Sequence, residues 1–169
     1  GTTQFAISGL YGKGNAPASS GEIQLAADFY GTSSSLHTTT ITAGRRASNA
    51  KLDIYEYGFS LGQGTGGVTY GSMGDNTFTD SSGTNKTIFG CRTGGNSGTA
   101  NSGLIFQIGS TTNYTNWTSI TLTRTADVTA TVLRANMNST NFNGYTQYST
   151  NIGVSAIFVN GAQTTLTLT

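Results

Sequence analysis

The alternation of apolar and polar side chains is clearest in the segment 52–61, LDIYEYGFSL. Successive side chains of an extended strand point to opposite faces. One face of this segment would then carry only aromatic or apolar side chains, namely Tyr55, Tyr57, Phe59 and Leu61. We expect that face to cover a core. The glycine-rich segment 62–67 and a further short apolar stretch at 68–70 follow, so the pattern predicts a central β-hairpin with a wide turn.

Further short strands are predicted from residue 36 to the C-terminus, separated by turns. The predicted strands are 36–42, 87–92, 104–109, 116–124, 127–135, 152–161 and 163–169, with polar loops at 71–87 and 136–150. Asn160–Gly161 marks a tight hairpin turn, and we expect the polar C-terminal segment to form a sheet edge or to pair with another subunit. About nine or ten strands at this spacing predict an all-β fold, an antiparallel β-sandwich with jelly-roll-like order.

Residues 1–34 differ from the rest of the chain. They contain the only proline, Pro17, in the small-residue linker 12–21. Bulky apolar side chains lie on both sides of that linker: Phe5, Ile7, Leu10, Tyr11, Leu25, Phe29 and Tyr30. We therefore divide the chain into an extended N-terminal arm, 1–34, that docks on a neighbouring protein through these side chains, and a β-sandwich domain, 35–169.

The composition limits the classes of function. Charged residues make up 9% of the chain and the formal net charge is +1, so there is no basic surface of the kind that binds nucleic acid. Abundant threonine suits the outer faces of sheets. Cys91 is the only cysteine, which excludes an internal disulfide. No apolar run approaches the ~20 residues that cross a bilayer, so we expect no membrane insertion.

Candidate catalytic groups are few. Asp53 and Glu56 form the closest carboxylate pair on a predicted strand, but an odd spacing directs them to opposite faces, whereas a glycosidase needs both in one cleft. His37 is the sole histidine and Cys91 is predicted to be a buried apolar residue. We predict no enzymatic activity and no catalytic residue.

No cofactor or metal site is predicted. The glycines at 62, 64 and 67 match the dinucleotide fingerprint in spacing, but the following residues cannot open the helix that holds a pyrophosphate. Asp75 and Asp80 lie in an oxygen-rich segment that lacks the spacing of a calcium-binding EF-hand. An incidental loop and a weak cation site both remain open for this pair.

Aromatic residues in polar segments are the feature best suited to binding. Tyr114 and Trp117 lie in TTNYTNWTS, and Phe142, Tyr145 and Tyr148 lie among asparagines. Rings beside amides can stack on sugars and hydrogen-bond their hydroxyls. We consider Tyr114, Trp117 and Tyr145 as glycan contacts, with a core position as the alternative for Trp117 and for Tyr145.

Two opening segments, AISGLYGKG (6–14) and EIQLAADFYG (22–31), resemble segments found in small Gly-, Ser- and Thr-rich structural proteins of tailed bacteriophages. The segment 51–74 and the segment 113–122 are similar to downstream parts of such proteins. The first copy departs from the pattern at Gly9, where an acidic residue is expected. The resemblance implies a component of the tail or virion surface, and it supplies no catalytic residues.

These observations lead to the hypothesis of a non-enzymatic structural protein on the surface of a tailed-phage virion. Capsid decoration and a tail appendage are both open. The expected partners are other virion proteins and further copies of the chain in a homo-oligomer. The alternative is a carbohydrate-binding module or adhesin that uses exposed aromatic loops, with a host-surface glycan as its ligand.

Overall fold

The computed structural model of the protein describes residues 35–47, 55–63, 67–80, 82–93, 103–110, 114–126, 128–151, 154 and 157–169. All of these belong to one unit of the chain, Ser35–Thr169. The predicted arm, with its seven docking residues, lies outside the described residues. Across the described segments, no helix is long and apolar enough to cross a membrane.

The described residues are all-β, with two antiparallel sheets and one short 3-10 helix at Arg134–Asn136. The thirteen strands of this part of the chain are β1 His37–Thr42, β2 Gly44–Ala47, β3 Tyr55–Leu61, β4 Thr69–Tyr70, β5 Ser72–Met73, β6 Thr77–Thr79, β7 Asn85–Thr93, β8 Leu104–Ile108, β9 Ser119–Thr125, β10 Val128–Leu133, β11 Asn138–Phe142, β12 Tyr145–Thr150 and β13 Gln163–Leu168.

The five-stranded sheet has the order β10-β9-β13-β1-β5. Its central strand is β13, which pairs with β1 on one side and β9 on the other. Leu166 and Leu168 of β13 are fully buried, while Thr165 and Thr167, which alternate with them, face outward. The prediction that this C-terminal strand forms an edge is therefore wrong, because its polar composition reports only the outward face.

The outer face of the five-stranded sheet is covered by threonine. Two rows cross four strands in register, Thr38–Thr167–Thr121–Thr131 and Thr40–Thr165–Thr123–Thr129. Hydroxyls of neighbouring strands are in contact, as at Thr121 and Thr131, whose oxygens are 3.0 Å apart. Such cross-strand pairs contribute roughly 0.2–1 kcal/mol each, so the abundant threonine is a solvated, sheet-stabilising face.

The eight-stranded sheet has the order β11-β12-β8-β7-β3-β2, with β4 paired to β3 and β6 paired to β7. The pairing of Ser60 with Tyr70 in the β3–β4 hairpin confirms the predicted central hairpin. Phe59 lies in the core as expected, and Tyr57 packs against it. Leu61 is 39% exposed, contrary to expectation, because β3 ends there and the turn begins.

Both long segments that were predicted to be polar loops contain strands. Residues 71–87 include β5, β6 and the start of β7. Residues 136–150 form the hairpin β11–β12, which turns at Asn143–Gly144 with Gly144 at φ 88°. These predictions are wrong because β5 and β6 are only two and three residues long and β11 is exposed throughout, so none of them shows apolar alternation.

Buried side chains of both sheets form one hydrophobic cluster. The five-stranded sheet contributes Ile41 and Leu122, and the eight-stranded sheet contributes Phe59 and Phe106. The faces predicted for β8, with Leu104, Phe106 and Ile108 inward, are confirmed, since all three are fully buried. The two sheets are therefore stabilised by one shared core.

A glycine corner, which we define as Gly44, Gly58 and Gly71, lies where the chain passes between the sheets. The passage from β1 to β2 crosses in one direction and the passage from β4 to β5 crosses back. A Cβ on Gly44 would collide with the Gly71 nitrogen and lie 2.8 Å from the Gly71 Cα. Gly71 has φ 67°, a backbone conformation that favours glycine. The close approach of these backbones therefore requires residues without side chains.

Candidate functional site

The outer face of the eight-stranded sheet holds a polar network and a group of aromatic side chains. Phe106 and its inward neighbours on β8 point into the core, so Gln107 points outward. In register beside Gln107 lie Gly90 of β7 and Gln147 of β12. The amides of Gln107 and Gln147 therefore share this face. An ion pair, Glu56–Arg92, and several aromatic rings lie on the same face.

A buried polar network occupies the middle of that face. The Arg92 guanidinium donates from Nη1 to Oε1 of Gln107 at 2.7 Å. The Gln107 amide nitrogen donates to the carbonyl of Gln63 at 3.1 Å and to Oε1 of Gln147 at 3.0 Å. Gln107 is fully buried although it faces away from the core. The network therefore ties the β3–β4 connection, through Gln63, to the sheet beneath it.

Glu56 completes this network at its other end. Its Oε2 accepts a hydrogen bond from the Tyr70 hydroxyl at 3.0 Å and lies 3.7 Å from Nε of Arg92. Burial, followed by the charge of Glu56, raises the pKa of the Tyr70 hydroxyl far above its ordinary value. Tyr70 is therefore a permanent hydrogen-bond donor in the neutral pH range. The arrangement joins β4, through Tyr70, to Glu56 of β3 and Arg92 of β7.

Gly90 creates the space in which Arg92 and Gln107 meet. A Cβ at this position would lie 2.7 Å from Oε1 of Gln107 and 2.8 Å from Nη1 of Arg92. Both atoms would have to move, and their hydrogen bond would be lost or lengthened. The absence of a side chain at Gly90 therefore leaves room for the hydrogen bond between Arg92 and Gln107.

An aromatic patch, defined as Phe89, Phe142 and Tyr145, borders the network. The rings of Phe142 and Tyr145 are stacked, with centroids 4.9 Å apart and planes 12° from parallel. Phe89 meets the edge of Tyr145 at 6.5 Å. Phe142 is 42% exposed, whereas Tyr145 is buried beneath it. The exposed ring of Phe142 lies on the same face of the sheet as Gln147 and has the chemistry to stack on a sugar.

Of the two roles considered for Trp117, the structure shows the core position, and Tyr114 is buried as well. Trp117 is 2% exposed and donates its indole N–H to the Tyr114 carbonyl at 3.1 Å. Its ring meets Phe106 and Tyr148 edge-on at 5.5 and 5.0 Å. Tyr114 is also buried, and Lys86 lies over its ring. Both residues therefore belong to the core, the alternative that was considered for Trp117, and neither presents a ring face to a ligand.

Asp75 and Asp80 each accept hydrogen bonds from residues of their own turn. Asp75 accepts from the backbone and hydroxyl of Thr77 at 2.9 and 3.0 Å, and those hydrogen bonds lower its pKa. Asp80 accepts from Ser82 and from the Thr84 backbone, which lowers its pKa in the same way. Within the described segments, no group of three or more His, Cys, Asp or Glu residues could hold a metal ion.

His37 and Cys91, the other side chains considered for chemistry, both pack within the fold. His37 stacks on Phe78 at 5.4 Å, and its Nε2 is 2.9 Å from the Asp75 carbonyl oxygen. Cys91 is fully buried, as predicted, and burial raises the pKa of its thiol to about 12. Asp53, the carboxylate considered as a partner for Glu56, lies outside the described residues.

Comparison with family models, curated proteins and solved structures found no match to this chain.

Proposed function

We propose that this chain is a non-enzymatic structural protein on the outer surface of a tailed-phage virion, as capsid decoration or as a tail appendage. In this proposal the two sheets form a sandwich that is displayed, and residues 1–34 form the arm that docks on other virion proteins. Jelly-roll order and the arm stay predictions. The phage assignment itself depends on the resemblance of the segments 6–14, 22–31, 51–74 and 113–122.

A structural role is supported by the hydrogen bonds of the described carboxylates, which all go to groups of the same chain. The three described carboxylates, Glu56, Asp75 and Asp80, hold a strand connection and two turns. Each therefore acts on its own chain, whereas a glycosidase needs two carboxylates facing one cleft. The wide threonine face is equally suited to permanent exposure to solvent.

Docking through the arm gives the first prediction. The protein should co-sediment with purified particles of the phage that encodes it. The double change Tyr11→Ser/Phe29→Ser should weaken binding by about a hundredfold or more, because two aromatic anchors that become buried on docking would contribute roughly 3 kcal/mol. Leu133→Ser, on the exposed edge of β10, is the matched control and should bind like the unchanged chain. Absence of the chain from purified particles, or full binding by the arm variant, contradicts the proposal.

Carbohydrate binding is the second candidate, and the exposed ring of Phe142 favours it. On a glycan array, Phe142→Ala should reduce any binding by about tenfold, the upper range for loss of one stacking contact. Leu61→Ala removes a comparably exposed apolar side chain outside the aromatic patch and should leave binding unchanged. If the Phe142→Ala variant bound glycans as well as the original chain does, this site would be excluded. If the original chain itself bound no glycan, the candidate function would be excluded.

A further inference from the structure

Six of the described strands pair on one side only: β10 and β5 in the five-stranded sheet, and β11, β2, β4 and β6 in the eight-stranded sheet. An unprotected edge is a template for pairing with another chain, so proteins shorten, charge or distort their edges. Five of these edges show such protection. β4 and β5 have two residues each and β6 has three, β2 carries Arg45 and Arg46, and β10 has a register shift between Val128 and Thr129.

β11 has none of these protections. Its five residues, Asn138–Phe142, contain no charge and no proline, and every one of them is exposed. Its pairing with β12 runs in continuous register without a bulge. The same edge carries Phe142, whose side chain is 42% exposed. β11 is thus the described edge strand that is uncharged, exposed at every residue and paired in continuous register over its whole length.

The register of the hairpin determines which backbone groups are available. Phe142 and Tyr145 flank the two-residue turn Asn143–Gly144, and such flanking residues form a hydrogen-bonded pair. Hydrogen-bonded and non-hydrogen-bonded pairs alternate along an antiparallel ladder. The N–H and C=O groups of Ser139 and Asn141 therefore point away from β12, towards the open edge.

We propose that β11 pairs antiparallel with β11 of a second copy of this chain, about a twofold axis at Thr140. Ser139 of each copy then forms a hydrogen-bonded pair with Asn141 of the other, which uses the outward groups of both strands. Thr140 lies opposite its own counterpart, and no like charges meet because the strand is neutral. Such an interface is self-complementary and closes as a dimer. The inference goes beyond the proposed function and does not depend on it.

A cross-linking experiment tests this register. The non-hydrogen-bonded Thr140 pair would have Cα atoms about 4.5 Å apart, within the range of about 4.4–6.8 Å that a disulfide requires. Thr140→Cys should therefore form a disulfide-linked dimer in air. Asn138→Cys is the matched control on the same strand and face, because two Asn138 residues would be about 14 Å apart. The buried Cys91, with its raised pKa, stays silent in both variants.

A mass measurement tests the edge itself. The full chain, of 17.5 kDa, should sediment at twice that mass at micromolar concentration. Ser139→Pro removes one outward N–H while leaving the ladder to β12 intact, and Thr140→Lys places two like charges opposite each other. Each should weaken the dimer by tenfold or more while the thermal midpoint of the domain is retained.

Three outcomes would overturn the proposal. The first is a chain that stays monomeric up to about 0.1 mM, where edge pairing with a dissociation constant near the micromolar range would be visible. The second is equal cross-linking of Thr140→Cys and Asn138→Cys. The third is an oligomer that survives both Ser139→Pro and Thr140→Lys. A dimer that satisfies all tests in a chain absent from phage particles would support the interface and reject the virion role.

Discussion

Gly44→Ala is expected to lower the free energy of unfolding by about 3 kcal/mol, the upper end of typical overpacking costs. The added Cβ would collide with the backbone nitrogen of Gly71 and lie 3.1 Å from the carbonyl carbon of Tyr70. Backbone atoms cannot rotate away as a flexible side chain can. To accept the methyl group, the two passages between the sheets would have to separate. A loss of this size is a large part of the 5–15 kcal/mol that stabilises a typical domain.

Gly74→Ala provides the matched control. Gly74 follows β5, and its added Cβ would have ordinary contacts of 3.7 Å to Thr39 and Thr40. Its backbone also lies outside the left-handed region that favours glycine. The change should therefore leave stability within about 1 kcal/mol of the original, or raise it slightly by restricting the unfolded chain. Urea denaturation measures both variants, and equal midpoints would show that the glycine corner can relax.

Local alternation predicted the centre of the fold well. LIFQI reads as β8 because Leu104, Phe106 and Ile108 fall on one face of an extended strand, and the structure buries all three. The same reasoning placed Ile120 and Leu122 of β9 inward. Burial on one face imposes period two on the sequence, so strands covered on a single side can be recognised from their residues alone.

The β11–β12 hairpin was missed although a sequence signal for it exists. Asn143–Gly144 is the same dipeptide as Asn160–Gly161, which was recognised as a turn. Alternation of Thr146 and Tyr148 follows it, with both side chains buried. The preceding strand β11 is exposed throughout, so it contributes no apolar pattern. A turn signal with alternation on one side should therefore have been sufficient to predict this hairpin.

The buried polar network could not have been predicted from local pattern. Gln107 stands between Phe106 and Ile108, where alternation correctly places it on the outer face and incorrectly suggests exposure. Its burial depends on the β3–β4 connection, which is distant in sequence and provides the Gln63 carbonyl. Arg92 and Glu56 are likewise brought together only by the β3–β7 pairing.

Burial of Trp117 also changes how binding data must be interpreted. The sequence places it beside Tyr114 and asparagine, an environment that resembles a sugar-binding loop. In the structure its ring is enclosed by Phe106 and Tyr148, and its N–H is satisfied by the backbone. Loss of glycan binding on changing Trp117 would therefore report a damaged core. Phe142→Ala is the informative change because its ring lies at the surface.

Trp117→Ala is accordingly expected to lower the free energy of unfolding by about 3–5 kcal/mol, the usual cost of removing a buried large aromatic side chain. The cavity would open beneath Phe106 and leave the edge-on contacts with both neighbouring rings unmade. The Tyr114 carbonyl would lose one of its two donors and keep the hydroxyl of Tyr148. Urea denaturation followed by circular dichroism measures the loss.

Trp117→Phe separates packing from hydrogen bonding in this position. It keeps a ring between Phe106 and Tyr148 but removes the indole N–H, so we expect a smaller loss of about 1–2 kcal/mol from the lost hydrogen bond and the reduced volume. If both variants unfolded at the urea concentration of the original chain, the ring would not be part of a tightly packed core. The Trp117 ring would then be accessible after all, and the glycan hypothesis in its original form would regain its support.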